Sequence, residues 1–288
     1  MKIMLRVACV FAMLICARTV AASCADVADV SWDAVNIDTL RTCDKTAIEQ
    51  FVNALNGDDP QHIVVGEFRW LPTDGTHYRL AVTADLSGRD IFDTLAIYAR
   101  SAAGKVHTQS LYGVAIALEN AIRDLDGDGK AELVVPSPVG DQDARAAVPT
   151  AVWPKVYRLR NGNYDDASAE FGTYYRDEVL PKLDKAIDEA RKDVEKRAPD
   201  APSAGDLQFQ QREAETRYLQ RRLAALEMTR DKILRVSGLD PNAGLDRARE
   251  WTTSSDTAVI GDAVVVLRDM GGHPDALRAA QDALGAAR

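Results

Sequence analysis

The hydrophobic pattern changes period near Tyr174, and this limits the chain to folds in which strands and helices are segregated along the sequence. From residue 62 to about 160, short runs rich in β-branched and aromatic residues alternate with turns. The runs are HIVVGEFRW, YRLAVTA, DTLAIYA, KVHTQSLY, ELVVP and KVYRLR, divided by stretches such as PTDGT, LSGRD, SAAGK and RNGN. Beyond Tyr174, apolar residues recur at three and four instead: Val179, Leu183, Ile187, Ala190 and Val194, with charged residues between them. A linker with proline and glycine follows at 198–206. The next helix carries Leu219, Leu223, Leu226 and Ile233 and stops near Gly238. Three shorter helices are expected at about 244–253, 257–270 and 274–286. The expectation is an α+β chain with a β-rich domain over 58–170 and an α-helical region over 171–288.

Residues 24–57 read as a leader and a short helix. Thr46-Ala47-Ile48-Glu49 has capping-box spacing, Ile48, Phe51, Val52 and Leu55 form an apolar face, and Gly57 supplies a stop. Ahead of them, residues 1–23 carry Lys2 and Arg6, then an apolar centre from Val7 to Ala17, then the small residues Ala21, Ala22 and Ser23. That order predicts a secretory signal peptide, because the apolar run ends at Arg18 and is far shorter than the roughly 20 residues that span a bilayer. Nothing later is apolar over a spanning length, so the expected location is outside the cytoplasm, periplasmic or secreted.

Cysteine use fits that compartment. Cys9 and Cys16 lie within the signal, which leaves Cys24 and Cys43. In an oxidising environment they are expected to form a disulfide, worth about 3 kcal/mol for a loop of this size. A lipid anchor on Cys24 is the other reading, since Ala21-Ala22-Ser23-Cys24 resembles a bacterial lipoprotein signal, with Ala21 where Leu or Val is usual. The formal net charge is −9, and removing Lys2, Arg6 and Arg18 with the signal takes it to −12. A surface this acidic disfavours binding to nucleic acid through phosphates and favours cations.

Most of the local acidity is in DLDGDGKAELVV, residues 124–135. With Asp124 as position 1, Asp126 is 3, Asp128 is 5, Gly129 is 6, Lys130 offers its backbone carbonyl at 7 and Glu132 is 9. Alternate side chains converge when such a loop curls, and glycine permits the sharp turn. The donors are all oxygens, with no His or Cys nearby, so calcium is the expected cofactor. An EF-hand shares the first positions, but its closing bidentate glutamate at position 12 is here Val135, inside a strand-like run. An open coordination position, a base and a substrate groove are not evident, so the ion is read as structural.

The loop resembles the calcium loop of FG-GAP and VCBS repeats, in which Asp-x-Asp-x-Asp-Gly-x-x-Asp/Glu is followed by a strand. Tyr112-Gly113 stands near the place of that family's Phe-Gly, and Pro136-Ser137-Pro138 near its Gly-Ala-Pro. The resemblance implies blade-like antiparallel sheets, one to three in the length available, used for recognition of proteins or glycans. A degenerate copy begins thirty-nine residues earlier at Asp85, with Ser87 and Arg89 at positions 3 and 5 and Asp93 at 9; it is expected to be free of metal. Residues 239–288 resemble a HEAT-type helical repeat, with Ala263, Val266, Leu267 and Met270 inward.

Other chemistry is sparse. His62, His77, His107 and His273 have no zinc-ligand spacing, and Ser110 and Ser137 lack a nucleophile motif. Trp70 and Trp153 suit core packing better than sugar stacking. The expectation is therefore an exported calcium-binding protein that acts as a binding or scaffolding module at the bacterial envelope, with an unidentified protein or glycan as partner. An envelope polysaccharide- or peptide-degrading hydrolase using Asp93, Glu119 or Asp141 is the alternative.

Overall fold

The computed structural model describes residues 43–55, 63–71, 79–86, 92–100, 106–140, 150–197 and 207–287. The leader through Thr42, the 198–206 linker and Asp141 lie outside the described residues. The fold is α+β, as the change of period implies. Helix α1 (Lys45–Leu55) precedes strands β1 (Ile63–Leu71), β2 (Arg79–Leu86), β3 (Phe92–Arg100) and β4 (Val106–Val114). These pair in chain order as an antiparallel four-stranded sheet. A one-turn helix α2 (Leu118–Ala121) leads to a second such sheet of β5 (Ile122–Arg123), β6 (Glu132–Pro138), β7 (Val152–Arg160) and β8 (Asn163–Asp166).

The helical half starts with an α turn at Gly172–Tyr174 and a π-helical segment at Tyr175–Val179, which run into α3 (Leu180–Arg197). Helices α4 (Leu207–Val236), α5 (Leu245–Trp251), α6 (Thr257–Met270) and α7 (Pro274–Ala286) follow. The three short helices expected near the C-terminus are α5, α6 and α7. One cap differs from expectation. The first helix begins at Lys45, and the Asp44 carboxylate accepts the Ala47 N–H at 2.9 Å. Asp44 is the N-cap, so Thr46 falls inside the first turn rather than before it.

The second sheet is the middle layer. Leu133 and Val135 of β6, with Tyr164 of β8, meet Leu71, Ala81, Leu95, Ile97 and Leu111 of the first sheet. Val134 points the other way and joins Trp153, Val156, Phe171, Tyr175, Met228 and Ile233 in a core shared with the helices. This explains why ELVV shows no alternation: a strand buried on both faces reads as a continuous apolar run. Each fully buried leucine or valine here contributes about 1.5–3 kcal/mol. The same core crosses the strand–helix boundary near residue 170, so the helices pack on the sheet that carries the acidic loop.

Two contacts hold the sheets against each other, and a third ties the first sheet to α2. A Cβ added to Gly113 would lie 2.6 Å from Val135 Cγ1 and 2.7 Å from the Pro136 carbonyl, so only glycine permits β4 to cross β6 this closely. The Gln109 side-chain amide donates to the Tyr164 carbonyl and accepts the Tyr164 N–H, each at 2.7 Å. Glu67, beside the bulge between Val65 and Phe68 in β1, accepts the Leu118 N–H of α2 at 3.0 Å.

Buried ion pairs join α4 to the last helices. Asp262 of α6 receives Arg221, Asp269 receives Lys232 at 2.6 Å and Arg235 at 2.7 Å, and Asp231 receives Arg247 of α5 at 2.9 Å. Burial raises the pKa of both Asp231 and Asp262, partly offset by their arginine partners.

Candidate metal centre

The acidic loop connects β5 to β6. Arg123 and Glu132 are opposite residues of that ladder, so Asp124 leaves β5 and the chain must reverse before Glu132. Asp124 organises the reversal: its Oδ1 accepts the Gly127 N–H at 2.8 Å and its Oδ2 the Gly129 N–H at 3.0 Å. Asp126 Oδ1 accepts the Asp128 N–H at 3.2 Å, and Asp128 Oδ1 the Lys130 N–H at 2.8 Å. These are the local side-chain-to-backbone bonds that make aspartate a turn residue. Gly127 and Gly129 have φ of 76° and 81°, a left-handed conformation costly to residues with a Cβ.

The result is a convergent carboxylate group. One oxygen each from Asp124, Asp126 and Asp128 lie within 4.8 Å of one another, all three residues being exposed, and the group could hold a metal ion. Lys130 is exposed at the loop exit with its ammonium 3.7 Å from Asp128 Oδ2. Glu132, the expected donor at position 9, is almost fully buried. Its Oε2 accepts the Leu125 N–H at 2.8 Å, while Oε1 faces Arg158 Nε at 3.3 Å. Glu132 thus holds the two ends of the loop together. Next to it, the buried Tyr164 hydroxyl donates to the Ala131 carbonyl at 3.3 Å, and burial pushes its pKa up to about 12.

Arg158 is the participant that sequence spacing did not reveal. It lies on β7, where the pairing of Leu133 with Tyr157 puts it level with Glu132. Its guanidinium also contacts Asp126 and Glu170 and sits 4.7 Å from the Phe171 ring centre. Burial lowers its pKa, but hydrogen bonding to Glu132 and the nearby Asp126 charge outweigh that and leave it raised. The only sequence cue was the polar position within KVYRLR.

The remaining candidates disperse. In the degenerate copy, Asp85 and Asp93 are opposite residues of β2 and β3, and residues 87–91 between them lie outside the described residues. Among the described residues, Asp124, Asp126 and Asp128 are the one group of three His, Cys, Asp or Glu side chains close enough to share an ion. Cys43 is disulfide-bonded. Cys24, its expected partner, lies outside the described residues, as do residues 1–23, expected to be a signal peptide, His62 and His77. His107 bonds Asn163 Oδ1 at 2.8 Å, and Trp153 is buried against Tyr175 with ring centres 6.4 Å apart. Glu119 is exposed on α2. Among the described residues, no helix is long and apolar enough to cross a membrane. Comparison of the chain with protein-family models, curated proteins and solved structures finds no match.

Proposed function

We propose that the protein is an exported calcium-binding module that serves in binding or scaffolding at the bacterial cell envelope, with calcium in a structural role. The convergence of Asp124, Asp126 and Asp128 on one point carries this reading. In the proposed site those three carboxylates and the Lys130 carbonyl hold the ion, an all-oxygen donor set suited to calcium, while Glu132, expected at position 9, braces the loop from behind through the Leu125 N–H. Calcium supplies charge neutralisation and fixes the β5–β6 turn. Glu132 then ties the turn to a sheet buried on both sides, so the effect of the ion reaches the shared core. The signal-like N-terminus and the disulfide at Cys43 support export, with Cys24 as the proposed partner. The outer surfaces of the sheets and the helical tail are the proposed contact surfaces for a protein or glycan.

Calorimetric titration of the mature protein with calcium, beside an Asp126→Ala/Asp128→Ala double variant, tests the reading. One ion bound by the wild type and none by the variant is the expected result; heat identical to buffer for both proteins would sink it. Intact-mass analysis of the exported N-terminus separates a Cys24 disulfide from a lipid on that residue.

A further inference from the structure

A cleft of about 380 Å³ opens where the second sheet meets the helices, within the size range of small-molecule sites. Its floor includes Pro154 of β7 and Leu183 and Ala186 of α3, all half-buried. Its rim carries Arg123, Glu178 and Lys182. Two cations and one carboxylate give that rim one net positive charge on a chain whose formal net charge is −9.

The two cations are differently committed. Arg123 Nη2 donates to Glu178 Oε2 at 2.9 Å, and the guanidinium lies 5.3 Å from the Tyr174 ring centre. The hydrogen bond to Glu178 uses one nitrogen of the guanidinium, so Arg123 retains N–H donors for a further anion. Lys182 is exposed and takes no part in the ion pairs that join α3 to α4. The backbone there is also unusual. Glu178 belongs to the π-helical segment Tyr175–Val179, a wide turn of a kind found mostly as single insertions, often at functional sites. Glu178 of that turn lines the cleft together with Val152 and Pro154 of β7.

We propose that this cleft binds a small organic monoanion, with an apolar, planar body on the Pro154–Leu183–Ala186 floor and a carboxylate or sulfonate held between Arg123 and Lys182. The apolar floor selects the body, the single surplus positive charge selects the monoanion, and the paired Glu178 disfavours dianions. The inference stands independently of calcium at the loop.

The test uses two fluorescent probes with nearly the same aromatic body: 1-anilinonaphthalene-8-sulfonate, an anion, and N-phenyl-1-naphthylamine, which is neutral. Titration of the mature protein should show one sulfonate probe bound per chain, about tenfold more tightly than the neutral probe. Lys182→Glu alters an exposed side chain, so folding is expected to survive; it should weaken the sulfonate probe about tenfold or more and leave the neutral one unchanged. Ala186→Phe, which fills the floor, should weaken both. Equal affinity for the two probes, or sulfonate binding unaltered by Lys182→Glu in a variant with a wild-type circular dichroism spectrum, overturns the proposal.

Discussion

The acidic loop and the helical region hold negative charge in opposite ways. Between α4 and the last helices each buried or half-buried aspartate faces at least one cation: Arg221 for Asp262, Arg247 for Asp231, and both Lys232 and Arg235 for Asp269. In the loop, Asp124, Asp126, Asp128 and Glu132 face one guanidinium, Arg158, and one exposed ammonium, Lys130. Backbone N–H groups supply the rest of the compensation there. The difference separates roles. Matched pairs position helices, whereas three exposed aspartates backed by the buried Glu132, with two more negative than positive charges among these groups, suit a divalent cation.

Breaking one matched pair should have the largest effect. Asp262→Ala leaves Arg221 without its buried partner and is expected to cost about 3–5 kcal/mol in chemical denaturation, whereas replacing both residues by apolar ones should cost much less. A loss under 1 kcal/mol for the single variant would show that the pair is effectively solvated. At calcium about 100 times its dissociation constant, the loop should gain about 2.7 kcal/mol, and the Asp126→Ala/Asp128→Ala variant should gain nothing. Gly113→Ala inserts a methyl group between the two sheets and should cost about 1–3 kcal/mol without changing calcium stoichiometry. A change in stoichiometry would mean that sheet packing and ion binding are coupled more tightly than described.

The smallest effects concern pH, and their signs differ. Asp231 and Asp262 have raised pKa values, so the native state binds more protons than the unfolded chain just above the ordinary carboxylate range. Their contribution to stability therefore falls as pH rises through that interval. Asp166 behaves in the opposite sense. Burial raises its pKa, but the Ser168 N–H and hydroxyl and the Lys155 ammonium outweigh that and hold it below the usual value. Its contribution is present above the ordinary aspartate pKa and lost as pH falls through the lowered one. Asp166→Asn should flatten the acid limb of a stability–pH profile below pH about 4, and Asp262→Asn should flatten the decline above it.

Much of this was legible in the sequence because it is periodic. The strand runs and the helical recurrence after Tyr174 follow from alternation and from spacing of three and four, and the structure keeps both. The loop aspartates were legible because they are close in sequence. Arg158 was not, because it reaches Glu132 only through the β6–β7 register. The Asp44 cap was missed because two capping residues two positions apart compete, and local spacing alone favours the one with a matching glutamate. The π turn left no apolar signature, since an extra residue in one turn shifts the pattern rather than ending it.

If the surplus negative charge of the loop is held for a divalent cation, that cation should stabilise the sheet beneath it. Thermal melts of the protein in calcium and in chelator, run beside the Asp126→Ala/Asp128→Ala variant, decide this. The wild type should melt at a higher midpoint in calcium, and the curves of the variant should coincide. Coincident curves for the wild type as well would contradict this and leave DLDGDGKAELVV a self-bonded turn balanced by Arg158 and Lys130.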